Sequence, residues 1–263
     1  MKIAVSGATG RMGKLIIEAV LCSDDLELAA AVTAPGVPEI GTDAGAAIGK
    51  TTGILISDDV QEIAKADVLI DFTRPQATLT YLPFCVAHNV GVVIGTTGFD
   101  AQGKEKIAEA AKSVPVVFAP NMSVGVNSVL KLLEIAGAML SQYDCEIVEM
   151  HHKHKVDAPS GTALEMGRRV AQGRGVDFDS VAVLSREGHT GERPDGAIGF
   201  AALRGGDVVG DHTVIFAGPG ERIEISHKSG SRAGYAQGAL TAARFLKDKP
   251  NGLFSMSDVL GFN

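Results

Sequence analysis

Tryptophan is absent, and aromatic residues make up only 5% of the 263 residues. Stacking platforms for single-stranded nucleic acid need aromatic faces, so that function is disfavoured. A surplus of basic charge is also missing. Lys and Arg number 24 against 31 Asp and Glu, and the formal net charge is -7. This argues against a nucleic acid or an anionic membrane as partner. It leaves room for a small anion in a local basic pocket. Only three cysteines occur, Cys22, Cys85 and Cys145, far apart and never as CxxC. That usage suits reduced thiols in a cytoplasmic protein. No apolar run approaches the roughly 20 residues of a membrane-spanning helix. MKIAVSGATG begins as a strand rather than a signal peptide, so the expected location is the cytoplasm.

Glycine, by contrast, is plentiful: there are 32, against an average share of about 7%. Many fall at the ends of short Ile- and Val-rich runs, where tight turns and close backbone approaches need them. KIAVS (2–6), LELAAAVT (26–33), ADVLIDF (66–72), VGVVIGTT (90–97) and VPVVFAPN (114–121) read as buried parallel strands. Helical spacing separates them at 12–22, 76–89 and 104–113. This alternation predicts an α/β half with a parallel sheet covered on both faces. After a long helix at 126–140 the pattern changes. A strand at 145–151 and a helix at 162–172 precede four strand-like runs, VAVLSR, AIGFAALR, DVVGDHTVIFAG and ERIEISHK. No helix separates those four, so the second half is expected to be α+β with a mixed or antiparallel sheet. A last helix, 234–247, is expected to return to the first half.

Gly7-Ala8-Thr9-Gly10-Arg11-Met12-Gly13 lies between the first strand and the first helix. Small residues there let the backbone approach a pyrophosphate, and the helix start presents N–H groups to it. Arg11 adds a cationic contact. The spacing is GxxGxxG rather than GxGxxG, so its place at the head of a βα series carries the reading. GTTG (95–98) and APNM (119–122) end later strands and border the same crevice. Thr96, Thr97 and Asn121 could hydrogen-bond a nicotinamide ribose or amide, or simply make ordinary turns. The second strand ends in Thr33-Ala34-Pro35. It has neither the acid of many NAD sites nor the arginine of NADP sites, so the residues leave NADH and NADPH both open.

The segment EMHHKHKVDAPSGTA (149–163) holds three of the seven histidines, His151, His152 and His154, with Lys153 and Lys155. A metal site is disfavoured by the adjacent lysines and by the lack of a recognised ligand spacing. A solvated basic loop remains the plain alternative. Favouring an anion pocket, Asp157-Ala158-Pro159-Ser160-Gly161-Thr162 leads into a helix with Ser160 as candidate N-cap. A lysine, imidazoles and a helix start together suit a carboxylate, and a histidine can donate a proton near neutrality. Beside a nicotinamide site, this implies a reductase for an acidic substrate. Two rivals stay open: a semialdehyde dehydrogenase, which would need an activated cysteine if it used a thioacyl intermediate, and a non-catalytic nucleotide sensor.

That segment resembles the signature of the 4-hydroxy-tetrahydrodipicolinate reductase (dihydrodipicolinate reductase) family. So do GATGRMG, DFTRP (71–75), GTTGF (95–99), APNMSVGVN (119–127), RGGDVVGDHTVIF (204–216) and SHKSGSR (226–232). The resemblance covers essentially the whole chain. It implies a Rossmann-like cofactor domain over 1–122 and 233–263. It also implies a mixed-sheet substrate-binding and tetramerisation domain over 123–232, in a homotetramer. The implied reaction is the reduction of a cyclic imine dicarboxylate by NADH or NADPH, in the diaminopimelate route to lysine. By motif position, His151 resembles the general acid and Lys155 its partner. His152, Ser160, Gly161, Thr162 and Arg232 resemble substrate contacts. Gly7, Ala8, Thr9, Gly10, Arg11, Met12, Thr33, Gly95, Thr96, Thr97, Ala119, Pro120, Asn121 and Met122 resemble cofactor contacts. No metal is implied. The two domains are expected to close around both ligands. Where some members carry an acid and a base after the second strand, this chain has Thr33 and Ala34, so the resemblance does not select the cofactor. His88, His189, His212 and His227 are expected to be structural.

Overall fold

The computed structural model of the chain describes residues 1–262. They form two compact units, one of Met1–Val124 with the segment from Arg232 onward, the other of Gly125–Ser231. In chain order the elements are β1 (Lys2–Ser6), α1 (Arg11–Leu21), β2 (Glu27–Val32), β3 (Ile56–Ser57), β4 (Val68–Asp71), α2 (Pro75–Ala87), β5 (Gly91–Ile94), α3 (Ala101–Ala110) and β6 (Pro115–Phe118). Then follow α4 (Val124–Met139), β7 (Asp144–His151), α5 (Gly161–Arg174), α6 (Phe178–Val181), β8 (Ala182–Val183), β9 (Ile198–Arg204), β10 (Gly210–Gly218) and β11 (Glu221–Ser229). The chain ends with α7 (Ala233–Leu246), β12 (Gly252–Phe254) and α8 (Met256–Leu260).

The first unit is a seven-stranded sheet in the order β12-β6-β5-β4-β1-β2-β3. Every pair in it is parallel. Strands buried on both faces must be apolar throughout, and side chains alternate between the two faces. Thus Ile3, Val5, Ile70, Val93 and Val117 pack with Ile16 of α1 and with Ala239 and Leu240 of α7. Their neighbours Ala4, Leu69, Val92, Ile94 and Val116 pack on the other side, with Leu82 of α2 and Ile107 of α3. Each such buried Val, Leu or Ile side chain contributes about 1.5–3 kcal/mol. Helix starts are locally encoded. Pro75 opens α2, where its missing N–H costs nothing, and the Asp100 side chain caps α3 by accepting from Gly103 N at 2.7 Å. Helix α7 packs closely within this unit. A Cβ at Gly238 would lie 1.7 Å from the Met122 carbonyl oxygen.

The second unit is a five-stranded mixed sheet, β11-β10-β7-β9-β8. β10 is antiparallel to both β11 and β7, while β7 and β8 run parallel to β9. Along β7 burial alternates, with Cys145, Ile147, Glu149 and His151 on the buried face. Ile147, Val214, Phe216 and Phe200 form a core with Met166 and Val170 of α5. The run VAVLSR yields only the two-residue edge strand β8. Beyond it, charge replaces the ladder. Arg186 makes a bidentate pair with Glu146 at 2.8 Å on each oxygen, and Arg193 reaches Glu146 and Asp144. The edge strands β3 and β12 and the short helices α6 and α8 were not foreseen. Each has five residues or fewer, too few to impose a period on the sequence.

Candidate active site

In the first unit, β2 and β4 flank β1 on opposite sides, so a crevice opens at the carboxyl end of β1. The chain turns there through Gly7 at φ +61, a left-handed conformation that favours glycine. A Cβ at Gly13 would lie 2.1 Å from Gly7 O and 2.8 Å from Ala8 Cα, so only glycine lets α1 seat on this turn. Gly10 is the N-cap of α1, with no side-chain cap and no acid in the first turn. The first N–H groups of the helix therefore face no built-in carboxylate. That fits the phosphates of a dinucleotide.

Arg11 is exposed, Met12 and Thr9 are half-buried, and Ala8 is buried with its N–H on Val32 O at 3.0 Å. Thr9 and Thr33 share a hydroxyl hydrogen bond of 3.0 Å. This joins the glycine turn to the end of β2, while the next residue, Ala34, is exposed. At the ends of β5 and β6, Thr97 and Pro120 are exposed, Gly95 and Asn121 are half-buried, and Ala119 and Met122 are buried. The Asn121 side chain accepts from Ser123 N at 2.9 Å. Gly95 is required by the Phe72 ring, because a Cβ there would lie 2.3 Å from Phe72 Cζ.

Thr96 is 2% exposed and its hydroxyl is engaged inside the protein. It donates to Asp71 Oδ2 at 3.2 Å and accepts from Thr73 N at 2.9 Å. Asp71, fully buried at the end of β4, also accepts from Ser6 Oγ and Thr73 Oγ1, each at 2.6 Å, and from Thr78 Oγ1. One carboxyl group thus ties together the ends of β1, β4 and β5 and the first turn of α2. Sequence reasoning assigned Asp71 no role. Its signal was an acid closing an otherwise apolar central strand.

In the second unit, β7 delivers Glu149 and His151 to the same face, two residues apart. His151 is 9% exposed and Glu149 1%. His151 Nδ1 lies 2.6 Å from Glu149 Oε2. Arg204, at the end of β9 and in register with His151, grips Glu149 with both arms. Nη1 donates to Oε2 at 2.8 Å and Nη2 to Oε1 at 2.9 Å. Ser160 N donates to Oε1 at 3.1 Å. Burial alone would raise the Glu149 carboxyl, but the hydrogen bonds and charges of Arg204 and His151 outweigh it and hold it below the usual range. Arg204 Nη2 also donates to the Asp157 carbonyl at 2.7 Å, pinning the loop that leads to α5.

Ser160 is the N-cap of α5. Its hydroxyl accepts from Ala163 N at 3.1 Å and meets His212 Nε2 at 2.9 Å. His212, on β10, is edge-on to His151 with 5.1 Å between ring centres. Burial, and then the charge of His151, push it down to about 4. Gly161 opens the helix with nothing within 4 Å of a Cβ placed there, and Thr162 is half-buried beside it. His152 is half-buried, and its N–H donates to Val208 O at 2.7 Å. Its Nδ1 is buried with no hydrogen-bond partner among the described residues. Lys155 Nζ contacts both oxygens of Asp157. His151, His152, Lys155, Ser160, Gly161 and Thr162 therefore gather around one strand end, loop and helix start. Arg232 belongs to the first unit, as N-cap of α7.

Among the described residues, no three His, Cys, Asp or Glu side chains converge to hold a metal, and no helix is long and apolar enough to cross a membrane. Cys85 and Cys145 are fully buried, and burial pushes both thiols up to about 12, the opposite of an activated nucleophile. Sequence reasoning missed Glu149, Arg204 and His212 as parts of the site. The i, i+2 spacing of Glu149 and His151 on a strand was the one local signal. Arg204 and His212 stand 55 and 52 residues from their partners.

A parallel sheet whose first strand turns through glycines into a helix defines a dinucleotide-binding fold, here followed by a mixed-sheet unit with a histidine–carboxylate–arginine cluster. The chain belongs to the dihydrodipicolinate reductase family: the model of that family's N-terminal part matches residues 1–122 and that of its C-terminal part residues 125–260. It is 61% identical to the 4-hydroxy-tetrahydrodipicolinate reductase of Cupriavidus metallidurans over 265 residues, 99% of each chain. It is 58% identical to the reductase of the same name from Bordetella parapertussis, covering 99% of this chain and 97% of the other. Among solved structures, the dipicolinate-bound dihydrodipicolinate reductase from Paenisporosarcina sp. TG-14 has the same fold. Its TM-score is 0.78 at 23% identity, over 97% of each chain.

Proposed function

We propose that the chain is a 4-hydroxy-tetrahydrodipicolinate reductase, reducing a cyclic imine dicarboxylate to tetrahydrodipicolinate in the diaminopimelate route to lysine. The observation that carries this is full-length identity of 61% to a reductase of that name. The His151–Lys155–Ser160 site supports it. A reduced nicotinamide dinucleotide, when bound, supplies the hydride. The glycine turn and the start of α1 would hold its phosphates, and residues at the ends of β5 and β6 would hold its nicotinamide half. Ser160, Gly161 and Thr162 offer donors to one ring carboxylate of the substrate, and Lys155 and His152 hold negative charge. Hydride addition to the C=N-conjugated ring leaves enamine-like electron density that must take a proton. His151 delivers it, a contribution of typically about 10²–10⁴-fold. Lys155 stabilises the charge that develops meanwhile.

The end of β2 carries the buried Thr33 and the exposed Ala34, so no carboxylate repels a 2′-phosphate there and no arginine demands one. Both NADH and NADPH are therefore accepted. The enzyme works in the cytoplasm as a homotetramer. The second unit supplies the subunit contacts, for which the exposed Leu203 and Ile223 on its sheet offer apolar area.

The test is to follow loss of reduced-nicotinamide absorbance with freshly generated cyclic imine and, separately, with a simple semialdehyde. Turnover with the imine alone, using either dinucleotide, is expected. No turnover with the imine would overturn the proposal. Sedimentation of the same sample checks the four-chain mass.

A further inference from the structure

We propose that Glu149, clamped by Arg204, is a positioning residue that fixes which nitrogen of His151 exchanges its proton. This role rests on His151 being the proton donor, as inferred above. The Glu149 carboxylate is saturated. Oε1 accepts from Ser160 N and Arg204 Nη2, and Oε2 from His151 Nδ1 and Arg204 Nη1. Such charge-assisted, bidentate contacts are the strong ones. Held below its usual range, the carboxylate has no proton to give. The hydrogen on its 2.6 Å contact with His151 therefore belongs to Nδ1. A neutral imidazole has one N–H, so Nε2 is bare when His151 has given up its proton and carries an N–H, with the ring a cation, when it is ready to donate. Nδ1–H stays on Glu149 throughout, and every transfer runs through Nε2.

The surroundings of Nε2 agree. A Cβ at Gly210 would lie 3.0 Å from His151 Nε2 and 3.4 Å from its Cδ2, so a glycine on the neighbouring strand keeps that edge clear. His212, the nearest ring, is held neutral near pH 7 because burial pushes it down to about 4. It is committed to Ser160, so it does not compete for the His151 proton. Arg204 has the complementary task. Without it, a 1%-exposed carboxylate would hold only the imidazole as counter-charge. Through the Asp157 carbonyl, the same guanidinium also sets the loop that carries Lys155 toward Ser160.

The experiment is nitrogen NMR of the His151 imidazole in the intact protein at alkaline pH, paired with kinetics of Glu149→Gln. The wild-type spectrum is expected to report the Nδ1–H form. An Nε2–H form would overturn the proposal, with no variant needed. In Glu149→Gln, kcat is expected to fall about 10- to 100-fold, part of the general-acid contribution. The dissociation constant for the reduced dinucleotide should stay within about twofold, because the dinucleotide site lies in the other unit. A Gln variant with wild-type kcat and an unchanged His151 spectrum would sink the role of Glu149. Loss of turnover in His151→Gln measured alongside would show that the donor itself stands. Retained turnover in His151→Gln would instead remove the donor, and Glu149's role with it.

Discussion

Lys155 Nζ lies 2.8 Å from each carboxylate oxygen of Asp157, a bidentate contact two residues along the same loop. The lysine side chain is 19% exposed and the aspartate side chain 60%. Lys155 is the cation proposed to receive a substrate carboxylate, so Asp157 occupies the place that carboxylate would take. Binding must then exchange one carboxylate for another. An exposed pair of this kind contributes about 0.2–1 kcal/mol. Removing the competitor in Asp157→Asn is therefore expected to tighten pyridine-2,6-dicarboxylate binding about two- to fivefold, with the gain shrinking in salt. Calorimetric titration at two ionic strengths reads this directly. Weaker binding by the Asn variant would mean that Asp157 helps the ligand rather than displacing it.

The division of labour between His151 and Lys155 separates in kinetics. Lys155→Ala is expected to lose most activity while the circular dichroism spectrum and the unfolding midpoint remain near wild type, since its ion-pair partner among the described residues, Asp157, is exposed. Truncating one member of a charge pair desolvated by substrate costs roughly 2–5 kcal/mol, a fall of at least about 30-fold in kcat/KM. His151→Gln is expected to lower kcat with little change in dinucleotide affinity. Near-wild-type turnover in both variants would refute the assigned roles.

Acid should weaken the fold through His212. Its folded value is pushed down to about 4 by burial first and then by the charge of His151, while an unfolded histidine titrates near 6.5. Between these values the unfolded chain takes up a proton that the folded chain refuses, so stability falls as pH drops from about 6.5 to 4 and levels off below. At about 1.4 kcal/mol per pH unit, the loss comes to about 3.5 kcal/mol. His227, also lowered by burial, acts in the same direction. Glu149, lowered, loses its contribution only as pH falls through a folded value below its usual range, at the acid side of this window. Urea unfolding at pH 7 and pH 5 should show the loss in the wild type and a smaller one in His212→Asn. Equal losses in the two would assign the acid sensitivity elsewhere.

Much of the first unit could be read from the chain because its strands are buried on both faces. Runs such as KIAVS and VLID have no polar face to blur them, and glycine or threonine marks their ends. The mixed sheet was legible in kind but not in extent. The segment 181–186 has the residues of a strand, yet beyond Val183 the Arg186–Glu146 pair rather than a ladder holds it. Within the candidate site, His151, Lys155 and Ser160 stood out because they are adjacent in sequence. The groups that orient them did not. Arg204 reaches Glu149 only because β9 pairs beside β7, and His212 reaches Ser160 from β10. Asp71 presented a single acid, whereas its function depends on four hydroxyls from three strand ends and a helix. Pairing of strands distant in sequence is what the one-dimensional pattern does not carry.

The glycine turn gives the sharpest steric test. At Gly13 an added methyl would meet Gly7 O at 2.1 Å and Ala8 Cα at 2.8 Å. Both are backbone atoms, and Gly7 is already committed to φ +61, so no side chain can swing aside. In Gly13→Ala either α1 moves off β1 or the turn reshapes. Overpacking of this kind costs about 1–3 kcal/mol, occasionally more. Because the same turn is the proposed phosphate cradle, dinucleotide affinity is expected to fall at least about tenfold, beyond what the loss of stability explains. Gly230→Ala is the matched control, since a Cβ there meets nothing within 4 Å. It should change stability by no more than about 0.5 kcal/mol and leave dinucleotide binding intact. Fluorescence titration of reduced dinucleotide and thermal unfolding of both variants decide the point. If Gly13→Ala bound dinucleotide as well as Gly230→Ala does, the turn would be a packing device alone, and the phosphates would have to be received elsewhere.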